Sequence, residues 1–251
     1  MKHRLIRIIP VTVLMFIFAT PVGSRAQTSV DHSLFGKLLA SHVTHGAVDY
    51  KGFQKDEIQL DRYLAQLGSI SPQELSPPEQ MAFYINLYNA WTIKLILTRY
   101  PHIASIKETG GLFSSPWDKK IVVLDHTKVS LDHIEHDILR PQFKDPRIHF
   151  AVNCASKSCP PLLGEPYTGH GLETQLDQVT TAFINDPKSN YIRDDTLYVS
   201  SIFKWYSQDF IEGIPAFFQK YAHNGLKNKL MALSSELKIS YLDYDWSLNG
   251  S

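Results

Sequence analysis

Only two cysteines occur in this chain of 251 residues. Both lie in one stretch of mainly small residues, His149-Phe150-Ala151-Val152-Asn153-Cys154-Ala155-Ser156-Lys157-Ser158-Cys159-Pro160-Pro161. A thiol becomes a nucleophile when a nearby imidazolium or a helix N-terminus lowers its pKa. His149, His136 and His133 are near in sequence, and Glu135 is available to orient one of them. The same spacing fits a second chemistry. In an oxidising compartment the pair closes as a Cys154–Cys159 disulfide that staples the loop. A metal fits poorly, because two thiols and scattered histidines lack the regular spacing of zinc ligands. There is no glycine-rich phosphate loop, so no cofactor is expected.

Something rigid must carry that stretch. Residues Arg147 to Asn153 read as a buried strand running into a loop, which holds a reactive side chain exposed on a firm support. Upstream, Gln80 to Thr98 is apolar almost all round, and a helix without a polar face lies in the middle of a fold. Ser76 caps it and Pro77 occupies its first turn. Asn86 and Asn89 share one face of this helix. Buried amides must be hydrogen-bonded, so they are expected to bridge to neighbouring loop backbone.

Helical spacing also marks Asp31–Val43, Asp56–Leu67, Asp132–Leu139 (ended by Pro141), Leu172–Phe183, Ile214–Tyr221 and Leu226–Leu233. Strands are expected at Lys120–Leu124 and Thr127–Leu131 around an Asp125-His126 turn. Tyr191–Arg193 and Leu197–Val199 form a second pair, and Lys238–Tyr244 is a last strand. Helices first and antiparallel strands later make an α+β domain, a central buried helix packed on a mainly antiparallel sheet. Trp205, Tyr206, Tyr244 and Trp246 read as core aromatics.

The N-terminus has the form of a cleavable signal peptide over residues 1–26. Lys2, Arg4 and Arg7 precede an apolar run from Ile8 to Ala19, Pro21 and Gly23 break it, and Ser24-Arg25-Ala26 supplies the cleavage pattern. The run is shorter than the roughly 20 apolar residues needed to span a bilayer. A single globular domain over 27–251, periplasmic or secreted and without membrane contact after cleavage, is therefore expected. The chain holds 25 basic and 25 acidic residues. Four basic and no acidic residues fall in the leader, leaving 21 against 25, a net of −4. That balance excludes a nucleic-acid partner, which rewards clustered lysine and arginine.

Several pieces together resemble the domain of unknown function 547 family: Gln80-Met81-Ala82-Phe83-Tyr84-Ile85-Asn86-Leu87-Tyr88-Asn89-Ala90, Ile134-Glu135-His136-Asp137-Ile138-Leu139-Arg140, His149 to Pro161, Ser201 to Phe210, and Leu242 to Trp246. The resemblance runs from about Gly46 to the C-terminus. It implies a fold similar to papain-like cysteine peptidases, with a Glu, His and Cys set. On this chain the set is Cys154 as nucleophile, His149 as first-choice base with His136 as its rival, and Glu135.

On a regular strand His149 and Cys154 face opposite sides, roughly 16 Å apart. The chain must then bend near Asn153, or the partner must be His136. On a helix Glu135 and His136 diverge by about 100°, so Glu135 is expected to orient a histidine elsewhere. Backbone N–H groups of Ala155 and Ser156 are oxyanion candidates. Asn153 is either a polarising amide or a turn residue. Two functions follow. One is an exported thiol hydrolase or acyl transferase acting on a peptide or amide substrate of the envelope. The other is a non-catalytic papain-like binding module for a partner protein, its two cysteines bridged.

Overall fold

The computed structural model describes residues 29–111, 114–233 and 237–250. The expected signal peptide lies outside the described residues. Ten α-helices in these residues are α1 (Ser33–His42), α2 (Tyr50–Lys55), α3 (Glu57–Gly68), α4 (Pro77–Leu97), α5 (Arg140–Phe143), α6 (Ile148–Ala151), α7 (Leu172–Ile184), α8 (Ile202–Trp205), α9 (Ile214–Tyr221) and α10 (Asn224–Ala232). A π-helical turn, His133–Leu139, runs directly into α5. The strands are β1 (Val43–Thr44), β2 (Ala47–Val48), β3 (Val122–Leu124), β4 (Thr127–Val129), β5 (Tyr191–Arg193), β6 (Thr196–Val199) and β7 (Lys238–Tyr241). The class is α+β, as expected.

α4 is the axis of the larger core. Nearly every side chain from Met81 to Leu97 is buried, the result of a segment with no polar stripe to offer water. It packs among α2, α3, α7 and the π-helical turn, so its close neighbours are helices rather than the sheet the sequence suggested. Asp125 and His126 both take positive φ, 45° and 60°, which is what a two-residue hairpin turn needs to match strand twist. β5, β6 and β7 form one sheet in that order, with β5 antiparallel and β7 parallel to β6. The parallel pairing was not expected. β7 returns some forty residues after β6 through α8, α9 and α10, and parallel strands require a long crossover of this kind.

Two apolar clusters result. The first gathers α1 to α4 with the π-helical turn, Ile148, Ala151, Val152 and Ala155. The second gathers Phe150, the end of α7, β5, β6, and α8 to α10, and is largely aromatic. α6 belongs to both: Ile148 and Ala151 face the first and Phe150 the second. The His149 to Pro161 stretch leaves the seam between them.

Two expectations are corrected here. Arg147 to Asn153 is not a strand, since Ile148–Ala151 is a single helical turn. A short, wholly apolar run is equally compatible with a buried strand or a buried helical turn. Pro141 does not end its helix either. The π-helical turn continues through Arg140–Phe143, with the proline at the second residue of α5.

Candidate active site

α4 fixes the cysteine loop through its two asparagines. Asn89 Nδ2 donates to the Ala151 carbonyl at 3.0 Å, and its Oδ1 accepts the Asn153 N–H at 2.8 Å. One turn away, Asn86 Nδ2 donates to the Tyr167 carbonyl at 2.8 Å and Oδ1 accepts the Tyr167 N–H at 2.9 Å. Each buried amide makes a two-point bridge to chain many residues distant, the structural role the sequence suggested. Removing either leaves two buried backbone groups without partners.

Asn153 is a turn residue. Its Oδ1 accepts the Ala155 N–H at 2.9 Å and an Asn249 N–H at 3.1 Å, while Nδ2 donates to the Pro160 carbonyl at 2.8 Å. This side chain is fully occupied with holding the loop, and so is the Ala155 N–H. Ala155 itself takes φ of 60°, a left-handed conformation costly for a residue with a Cβ. The turn brings Cys154 to the wall of a cavity of about 200 Å³ that is also lined by Glu135, His136, His149, Cys159, Tyr206 and Tyr244. All four residues proposed as catalytic from sequence, Cys154, His149, Glu135 and His136, thus meet at one place.

Cys154 is half-buried and Cys159 buried, and both carry free thiols. Hydroxyls of Tyr244 and Ser156 lie 3.1 and 3.2 Å from the Cys154 sulfur. Ser156 also donates to Tyr244 at 2.9 Å, which leaves the tyrosine proton directed at sulfur. Hydrogen bonding from Cys159 most of all, then from Ser156 and Tyr244, outweighs burial and brings the Cys154 thiol down to about 7. Cys159 moves the other way: burial holds it well above its ordinary value. The two sulfurs are chemically unequal. Cys154 is the ionisable one, and Cys159 is a protonated neighbour that hydrogen-bonds it.

His149 is 3% exposed. Its Nε2 is 2.7 Å from Asp209 Oδ2, and Tyr206 stacks on the ring with centroids 3.9 Å apart. Arg140 grips the same carboxylate through Nε at 2.7 Å and Nη2 at 3.0 Å. Burial pushes Asp209 up, but the hydrogen bonds from His149 and Arg140 prevail and hold it well below the carboxylate range. An ionised carboxylate only accepts, so Nε2 carries the imidazole proton. Nδ1 is buried without a partner. The ring is fixed on one side by its hydrogen bond to Asp209 and presents an unpartnered nitrogen on the other.

His136 is differently engaged. Its Nδ1 lies 2.7 Å from Arg140 Nη1, and a guanidinium only donates, so the lone pair of that nitrogen is already used. Its Nε2 lies 3.4 Å from Asp132. Glu135 orients no histidine; the Tyr206 hydroxyl bonds to it, and burial together with that carboxylate pushes the tyrosine up, keeping it protonated. The π-helical turn places Glu135 and His136 on the cavity wall, with Arg140 just beyond it behind that wall, and such turns are frequent at functional sites.

Sequence reasoning missed Asp209, Arg140 and the aromatic wall. Asp209 is sixty residues from His149 and sits in a Ser-Gln-Asp-Phe piece that carried no chemical signal of its own. Trp205, Tyr244 and Trp246 also line the cavity. Trp205 is 46% exposed, so it is not core, whereas Tyr244 and Trp246 are half-buried and pack against the apolar clusters. Among the described residues no group of three or more metal-ligating side chains occurs, and no helix is long and apolar enough to cross a membrane.

Residues 72–184 match the family described as "Protein of unknown function, DUF547". The matched span contains α4, the π-helical turn and the cysteine loop, and it supports membership of that family. It stops short of Asp209, Trp205 and Tyr244. No curated protein and no solved structure matches the chain.

Proposed function

From a family whose description assigns no activity, we propose that this chain is a cysteine-dependent hydrolase or acyl transferase acting on an amide or peptide bond, exported by its N-terminal leader and working in the periplasm or outside the cell. One observation carries the reading. A buried imidazole, fixed through Nε2 by an ionised carboxylate, has an unpartnered Nδ1 and shares a cavity with a thiol whose hydrogen bonds favour its thiolate. Nucleophile, base and orienting acid are then Cys154, His149 and Asp209. This is the division of labour of papain-like peptidases, and that relationship belongs to the proposal.

In this reading the Cys154 thiol passes its proton to His149 Nδ1, and the resulting thiolate attacks the carbonyl carbon and forms a C–S bond. The carbonyl electrons move to oxygen, and the Tyr244 hydroxyl, no longer needed by the sulfur charge, is the nearest donor to that oxyanion. The Ala155 N–H serves Asn153 and the Cys154 N–H points at Cys159 sulfur at 2.9 Å, so neither is free for that task. His149, protonated at Nδ1, gives its proton to the leaving amine as the C–N bond breaks. Water, or a second amine, then attacks the thioester with Nδ1 as base, and the thiolate returns. Asp209 stabilises the imidazolium whenever Nδ1 holds that proton.

Replacing Cys154 by Ala should abolish labelling by an electrophilic peptide probe, while Cys159→Ala should leave it. Equal labelling of the Cys154→Ala protein would remove this residue from the mechanism. A second reading, a binding module with a Cys154–Cys159 bridge, draws on the adjacency of the two thiols. A free-thiol count on protein from the exported compartment separates the two: zero before reduction, with no labelling afterwards, supports the module.

A further inference from the structure

The cavity has walls of two kinds. Around the sulfur they are polar. Beyond it they are aromatic: Trp205, Tyr244 and Trp246 lie with centroids 4.6 to 5.7 Å apart, and Trp117 meets Trp246 edge-on at 5.7 Å. Trp205 is among the most exposed large side chains of the described residues. Held as a cluster that is open to solvent at Trp205, these rings offer negative π faces to a cation.

Charge points the same way. Two carboxylates, Asp132 and Glu135, line the cavity, and no lysine or arginine does. Arg140 stands behind the wall, committed to Asp209 and His136. His136 is held at Nδ1 by Arg140 and approaches Asp132 through Nε2, so both ring nitrogens are committed to the wall. Asp118 and Asp137 add further negative charge beside Asp132. An anionic or purely apolar guest would enter against this field. One ammonium is already seated on the outer end of the wall: Lys107 Nζ lies 3.9 Å from the centre of the Trp246 ring, although Lys107 does not line the cavity.

We infer that the aromatic and acidic end of this cavity receives a positively charged amine, so that the substrate is an amide bearing an ammonium group near its scissile carbonyl, such as a lysyl, N-terminal aminoacyl or diamine-derived amide. The inference rests on the reading of Cys154 as nucleophile only for where the carbonyl lies. The ammonium subsite stands on the walls alone. A volume of about 200 Å³ equals roughly six or seven waters, enough for an amide and one alkylammonium. Aromatic faces attract such a cation more strongly once it is desolvated, and the carboxylates select against its neutral isostere.

The test uses the full folded chain and two thiol reagents of similar size and opposite charge, trimethylammonium-ethyl and sulfonatoethyl methanethiosulfonate. Rates at Cys154 are divided by the rates with a small free thiol in the same buffer. The cationic reagent should retain an advantage of tenfold or more after that correction. Trp205→Ala and Asp132→Asn should each reduce it severalfold. A corrected ratio near one overturns the subsite while leaving the nucleophile intact. If neither reagent reacts, the nucleophile reading fails, and the subsite is decided separately. Tryptophan fluorescence of the Cys154→Ser protein is then titrated with tetramethylammonium and with tert-butanol at equal ionic strength. Saturable change with tetramethylammonium alone supports the subsite; no saturation, or equal response to both, overturns it.

Discussion

The loop side of the site and the cavity side obey opposite rules. On the loop side the amides are fully answered: Asn86, Asn89 and Asn153 make seven hydrogen bonds to backbone or to Asn249. On the cavity side groups are left incomplete. His149 Nδ1 is buried and unpartnered, Trp205 is exposed, and the Cys154 sulfur faces open volume. Buried polar groups without partners are costly, so a chain keeps one only where the surroundings over-determine it. Here the satisfied loop supplies the rigidity that the unsatisfied wall requires. Stability is concentrated on one side and chemistry on the other.

That division gives changes that should separate the two. The largest effect belongs to the cavity side. His149→Ala should slow labelling by the electrophilic peptide probe by about 100-fold or more, with the urea midpoint changed far less than the rate. Asp209→Asn should act in the same direction through orientation of the ring. It also bears on acid stability. Asp209 is held below its ordinary range, so its contribution is present above the unfolded carboxylate pKa and is lost as pH falls toward strongly acidic values. The acid-unfolding curves of wild type and Asp209→Asn should therefore converge at low pH, and curves that stay parallel would contradict the ion pair.

Next come the loop amides. Asn89→Ala strands the Ala151 carbonyl and the Asn153 N–H, which should cost about 2–6 kcal/mol in urea unfolding, at about 1–3 per orphaned group. A loss below about 0.5 kcal/mol would mean that the bridge does not hold the loop. A smaller change concerns ionisation. Tyr244→Phe removes one hydrogen bond to the sulfur, so the midpoint of thiol alkylation should rise from about 7 by up to about one unit. The smallest is Ala155→Gly. With φ of 60° at a non-glycine residue, glycine should stabilise the loop by about 0.5–1 kcal/mol. Destabilisation would show that the alanine methyl packing outweighs the backbone strain.

The loop side was far more legible in the sequence than the cavity side. α4 announced itself by lacking a polar face, and two asparagines on such a helix had to be bridges, because a buried amide has no other stable state. The Asp125-His126 turn and the two hairpins followed from short-range chemistry. α6 did not. Four buried residues in a row carry no period, so Ile148–Ala151 read as strand, and the derived geometry of His149 against Cys154 fell with it. Asp209 and Arg140 were illegible for another reason. Their roles exist only through contacts sixty-nine residues apart, and neither local spacing nor composition marks them. The aromatics Trp205, Tyr244 and Trp246 were read as core because aromatic residues at such spacing usually are. Of the three only Trp205 is exposed, and Tyr244 and Trp246 still pack partly against the two clusters.

The rate of carboxamidomethylation as a function of pH, with the modified cysteine located by mass spectrometry, tests the central claim most directly. The expected result is modification of Cys154 and not Cys159, with a midpoint near 7. Modification that begins only near the ordinary thiol value, about 8.5, or a Cys154 that stays unreacted in reduced, folded protein, would contradict it.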